Sequence, residues 1–263
     1  MIRYVTTVFV IALALGASTS LLAAPPIGAV VQTWNYDPKT NSVTLKVVNT
    51  SQKDITAFNI AIKETLADGR VDEHETLEDF LGKIIAAKEL KEGDHSRGAE
   101  TFRKLYGDGA FHPGEVHDEI VGVQPGFQNI ETVVNVVTYV DGTAEATNND
   151  ALGRIVEERQ ATAASQKIVT AAIQAALADP YDPNPAMTAA KEIQDRATVW
   201  KSQKHAKRDL DMVRLESAAS ELKAVSSQNV DKRAALKQIG DTEQGRLTVM
   251  SVHAALAKTG GPQ

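Results

Sequence analysis

Residues 42–65 alternate between apolar and polar positions. Val43, Leu45 and Val47 fall on one side with Thr44 and Lys46 on the other, and Phe58, Ile60 and Ile62 repeat the pattern. Within 130–140, Val134, Val136 and Val140 share one parity, while Val133, Val137 and Tyr139 supply a second apolar face. Period-two patterning in β-branched residues predicts strands, and a run apolar on both faces predicts a central one. Turn-forming residues separate the runs at 37–41, at Asn49-Thr50-Ser51, at Ala67-Asp68-Gly69 and at Asp141-Gly142. The two Asp-Gly pairs suit type I′ hairpin turns, whose central residues both need positive φ. Strands are expected near 29–36, 42–49, 55–65, 70–76, 115–123, 130–140 and 143–147. Seven short antiparallel strands at this spacing predict a β-sandwich.

The period changes near Asn148-Asn149. Residues 151–178, 185–225 and 230–258 are rich in Ala, Leu, Lys, Glu, Gln and Arg, the strong helix formers. Thr147 to Asp150 resembles a capping box, and Asn184 before Pro185 reads as an N-cap with proline at the first helical position. Gly240 and Gly245 are expected to kink or split the last helix. The middle stripe, Met187, Ala190, Ile193, Ala197 and Trp200, lapses into Lys201, Lys204, His205, Lys207, Arg208 and Asp209 before resuming at Leu210. One 40-residue helix would be about 60 Å long and could not bury enough area alone. The fold class expected is α+β: an antiparallel Ig-like β-sandwich in 24–148, then an Ala-rich helical hairpin or three-helix region in 149–263. Between strands, residues 77–112 form a long insert. Phe80, Leu81, Ile84 and Ile85 lie there at helical spacing, which suits one or two short helices over a sheet edge.

Composition adds location and exclusions. Arg3 is the only basic residue before Lys39, an apolar run from Val8 to Gly16 follows, and small residues come next. That order predicts a signal peptide over 1–23, cut near Ala23 or Ala24, and a periplasmic or secreted protein of a bacterial envelope. The apolar run is shorter than the roughly 20 residues a bilayer span needs, so no integral span is expected after cleavage. The chain has no cysteine, which excludes disulfides, thiol catalysis and Cys-ligated metals. The net charge of −6 hides a division: 12 basic against 20 acidic residues in 1–148, and 16 against 14 in 149–263.

The succession of a strand over 43–49, Asn49-Thr50-Ser51, a strand over 55–65, Asp68-Gly69, and Pro113-Gly114-Glu115 before another strand resembles bacterial immunoglobulin-like modules of the FxLYD kind. The resemblance covers about residues 40–140. It departs in the long insert and in Leu66-Ala67, where the family carries an aromatic Tyr-Asp pair. It implies an extracytoplasmic binding or scaffolding module without an active site.

Candidate chemistry is sparse. The histidines are His74, His95, His112, His117, His205 and His253. His112 and His117 lie among Glu115, Asp118 and Glu119, and His74 on another strand would complete a metal set of His74, His112 and His117. No His-Glu-x-x-His, Gly-x-Ser-x-Gly or Walker pattern is present, so no catalytic residues are assigned. Acidic pairs at Asp72-Glu73, Glu78-Asp79 and Asp118-Glu119 read as a solvated acidic face. Lys201, Lys204, Lys207 and Arg208 form the one basic cluster, a binding stripe for an acidic surface of this chain or of another subunit. The expectation is a non-enzymatic exported binding or scaffolding protein with no cofactor. Its partner would be another envelope protein or a second copy joined through the helices, not nucleic acid. A metal-dependent envelope hydrolase using the three histidines and a periplasmic holdase-like chaperone are the alternatives.

Overall fold

A computed structural model describes residues 27–90, 96–202 and 210–256; the apolar N-terminal stretch and Lys204, Lys207 and Arg208 lie outside them. Seven strands form two antiparallel sheets. β1 (Ala29–Asp37), β2 (Ser42–Asn49) and β5 (Val116–Gly122) make one, in the order β1-β2-β5. β4 (Val71–Asp79), β3 (Ile55–Leu66), β6 (Phe127–Tyr139) and β7 (Ala144–Ala146) make the other, in that order. The helices are α1 (Leu81–Glu89), α2 (Arg97–Tyr106), α3 (Asn149–Ala178), α4 (Pro185–Ser202), α5 (Leu210–Ser226) and α6 (Lys232–Leu256). The architecture is therefore α+β, and no described helix is long and apolar enough to cross a membrane.

The alternating residues do what their period requires. Val43, Leu45 and Val47 from one sheet and Phe58, Ile60 and Ile62 from the other are buried in one shared core with Ile130, Val134 and Val137. Both Asp-Gly turns differ from the expected type. Gly69 and Gly142 have φ of 80° and 79°, but Asp68 and Asp141 do not have positive φ. In each turn the glycine N–H reaches back three residues, Gly69 to Leu66 and Gly142 to Tyr139. This is a three-residue loop ending on a left-handed glycine, so only the glycine position needs freedom from a Cβ.

The helices divide more finely than the sequence pattern suggested. Asn148, not Thr147, caps α3, its side chain accepting from the N–H groups of Asp150 and Ala151 at 3.0 and 3.1 Å. The middle helix is two. Lys201 Nζ lies 2.5 Å from Glu216 and Lys223 Nζ 2.6 Å from Gln194. In one straight helix Lys201 and Glu216 would stand about 22 Å apart. The pairings run in opposite directions, so α4 and α5 are antiparallel neighbours and not one straight helix. α6 is unbroken through both glycines. Gly240 is there for closeness instead, since a Cβ would come 2.9 Å from the Ile173 methyl on α3. Alanine spacing gives the same intimacy elsewhere: Ala189, Ala190, Ala218 and Ala219 are buried with Ile193, Leu215, Leu222 and Leu236.

Helices and sheets are packed together. Leu152, Ile155 and Val156 of α3 share a cluster with Val136, Ala144 and Leu77 on the outer face of the four-stranded sheet. Two ion pairs fix the crossing: Arg154 with Glu75, and buried Arg159 with Asp79 at 3.0 Å. Further along, Glu243 joins Gln166, Arg214 and Arg246, and Arg246 also holds Glu89 at the end of α1.

Candidate functional site

β4 and β5 each lie at one edge of their sheet, and their inward rows are polar except at Val121, which joins the shared core. On β4 the residues opposite the core positions Ile62, Ile60 and Phe58 are His74, Thr76 and Glu78. On β5 the residues opposite Val47 and Leu45 are His117 and Glu119. The acidic pairs therefore do not form one solvated face. Glu78 and Glu119 turn inward, while Asp79 turns out to Arg159 and Asp118 turns out to Lys46. The reason is the strand period itself, which sends sequence neighbours to opposite faces.

The two rows meet. The Thr76 hydroxyl donates to Glu119 Oε1 at 2.6 Å, linking one sheet to the other. His117 Nε2 stands 3.5 Å from Glu119 Oε2. Glu78, His117 and Glu119 place ligand atoms within 4.8 Å of one another, and each residue is partly buried. Burial pushes the Glu119 carboxyl up, yet the His117 imidazole and the Thr76 hydroxyl, with the Lys83 charge, outweigh it and hold it below the ordinary value. The His117 ring is walled by Phe58, Phe80 and Phe111, with centroids 5.7, 5.2 and 6.0 Å away.

The insert roofs this seam. Phe80 and Ile84 enter the shared core, which anchors α1. Lys83, one helical step from them, reaches Glu78 at 2.5 Å and lies over the Phe80 and Tyr106 rings. Gly109, at φ 84°, passes so close to α1 that a Cβ would lie 2.4 Å from the Lys83 carbonyl carbon. Between insert and strand edge lies a cleft of about 470 Å³, lined by Phe80, Lys83, Tyr106, Asp108, His112 and His117 among others.

The expected three-histidine set is not one set of ligands. His112 is clamped by Asp54 at 2.8 Å and Asp108 at 2.9 Å, and the Asp54 hydrogen bond raises its pKa against the effect of burial. His74 Nδ1 faces Glu64 at 3.5 Å. Only His117 joins the described cluster, and its neighbours there are Glu78 and Glu119, both expected on a solvated acidic face, although Glu119 was also noted beside His117. The signal for them was β4 itself, whose polar residues at both parities mark a strand without a full core face. Of the basic cluster, Lys201 pairs with Glu216, so an acidic partner exists within the chain. Asn49 of the Asn-Thr-Ser turn is buried and donates to the carbonyls of Lys53 and Phe111, so its role in the turn is structural.

No family model matches the chain, and no curated protein matches it. Among solved structures, it is similar to a hypothetical protein from Peptoclostridium difficile 630, determined by X-ray diffraction at 1.85 Å. The two are 14% identical, with 48% of this chain and 89% of that one covered, at a TM-score of 0.29. A likeness that low carries no argument about fold or function.

Proposed function

We propose that the protein is an exported, non-enzymatic binding or scaffolding protein of the bacterial envelope. Its two sheets form an immunoglobulin-like sandwich of the FxLYD kind, and α3–α6 are a rigid platform behind it. The strand order supports the sandwich reading. With strands lettered A to G, the sheets are A-B-E and D-C-F-G, which differs from the antibody constant arrangement in the partner of the fourth strand alone. The signal-like residues 1–23 support export.

The observation that carries the binding role is the cleft between the insert and the start of β5. A sandwich that only spaced other domains would have no use for an insert anchored by two core residues over a polar seam. Leu105 and Tyr106 stand exposed on the rim, at 63% and 45%, and supply apolar contact beside the charges. The partner is another envelope protein or a second copy of this chain. A photo-crosslinking residue at Leu105, in the full chain expressed in a bacterial envelope, tests this. A discrete adduct from Leu105 is expected, with none from Tyr181, in the turn between α3 and α4, or from Val213 on α5. Adducts confined to those two positions, or none from Leu105, would overturn it.

A further inference from the structure

We infer that Glu78, His117 and Glu119 bind a divalent transition-metal ion of the zinc class, held between the outer strands of the two sheets. The distances favour a shared ion over a hydrogen bond. The His117 Nε2 to Glu119 Oε2 separation of 3.5 Å exceeds the roughly 2.7–3.2 Å of an N–H···O bond. Two ligands each about 2.0–2.1 Å from a tetrahedral ion stand about 3.4 Å apart. The third ligand atom, on Glu78, is within 4.8 Å of both, so a small side-chain rotation closes the set.

The ligands are also oriented. Thr76 occupies Glu119 Oε1 and leaves Oε2 turned to the imidazole. Three aromatic rings fix the plane of His117. Such outer contacts set ligand direction in metal sites. One imidazole nitrogen and two carboxylate oxygens suit zinc, with water from the adjoining cleft as the fourth ligand.

Lys83 is the competitor. Its ammonium, 2.5 Å from Glu78, is the cation now at the seam. From that same position it also lies over the Phe80 and Tyr106 rings, at 4.9 and 5.5 Å from their centroids. A metal ion would take Glu78 from Lys83 and leave the ammonium its ring contacts. The ion would then tie β4 to β5, a cross-link that a chain without cysteine cannot make with a disulfide.

The test is calorimetric titration of the chelator-treated mature protein with zinc chloride, repeated with cobalt(II) to read coordination by visible absorption. One equivalent is expected, with tetrahedral cobalt bands. H117Q and E119Q should each weaken binding at least about tenfold. K83M should tighten it, because the competing ammonium is gone, and H112Q should leave it unchanged. No saturable binding would overturn the site, as would binding lost in H112Q but retained in H117Q. Should H117Q fail to fold, K83M decides: binding that is unchanged or weaker overturns the inference.

Discussion

Replacing Arg159 by methionine keeps the aliphatic stem and removes the guanidinium that pins α3 to the four-stranded sheet. That side chain is 4% exposed. Its Nε and Nη2 donate to the two Asp79 oxygens at 3.0 and 3.1 Å. Nη2 also reaches the Thr56 hydroxyl and carbonyl at 3.2 and 3.3 Å. Breaking a buried ion pair from one side costs about 3–5 kcal/mol, chiefly because the surviving charge is stranded. Asp79 is 32% exposed, so water takes over part of its solvation and the expected loss is lower, about 2–3 kcal/mol. For a chain of this size that is a fall in Tm of about 5–10 °C. Urea unfolding of the mature protein reads the loss directly, given coincident fluorescence and circular dichroism transitions. R159M, D79N and the double variant complete a cycle, with a coupling of at least about 1 kcal/mol expected. An R159M stability within about 0.5 kcal/mol of the parent, or a cycle additive within that margin, would refute the reasoning.

His253 and His112 should give the stability profile opposing slopes. Burial, with the nearby Arg159 and Lys88 charges, lowers the His253 pKa against the pull of Asp79. Its stabilisation is complete above the unfolded value of about 6.5 and is lost as pH falls through it toward the folded one. His112 is raised by Asp54, so its contribution is complete below about 6.5 and is lost as pH rises through the folded value. Urea midpoints between pH 5 and 8.5 should show H253Q flattening the acid side and H112Q the alkaline side; an unchanged acid slope in H253Q would sink the first claim. Gly109→Ala should cost about 2 kcal/mol or more, since it combines a positive φ with a backbone clash. Gly69→Ala, at φ 80° but with nothing within 4 Å of its Cβ, should cost only about 1 kcal/mol. Equal costs in the same assay would show that the Lys83 contact does not matter.

Where one residue type had one physical job, the sequence was readable. Val43, Leu45 and Val47 could only be a half-buried strand, and they are. The Asp-Gly turns were placed correctly and typed wrongly, because either turn type needs glycine and the difference lies in the φ of an aspartate. The polar lapse after Trp200 was visible, but a lapse in a stripe does not distinguish a long exposed helix from a reversal; only the Lys201–Glu216 and Lys223–Gln194 pairings do. At the candidate site, His117 was singled out with Glu119 among the acids beside it, and Glu78 was not. Glu78 and Glu119 are 41 residues apart in sequence and come together because two different sheets place their outer strands side by side. Which strand ends up at an edge, and which edge faces which, depends on the whole topology and not on a local period.

The same seam answers a second demand. Outer strands invite pairing with other chains, and inward-pointing charges are one way to prevent it. Edge protection explains why β4 and β5 carry polar inward residues, but it does not explain their convergence. A lysine on one strand and a glutamate on the other would blunt both edges without repulsion across the gap. Here two carboxylates approach one another from opposite sheets, each partly withdrawn from water, with Lys83 in contact with Glu78 and a hydroxyl holding Glu119. Two like charges brought together in a low dielectric raise the energy of the folded state unless a cation sits between them. The fold answers that repulsion with its own donors, since Lys83 meets Glu78 and the His117 and Thr76 side chains hold the Glu119 carboxyl below its ordinary value. An ion that coordinated Glu78, His117 and Glu119 would offset it more completely, locking the two edges that the insert covers.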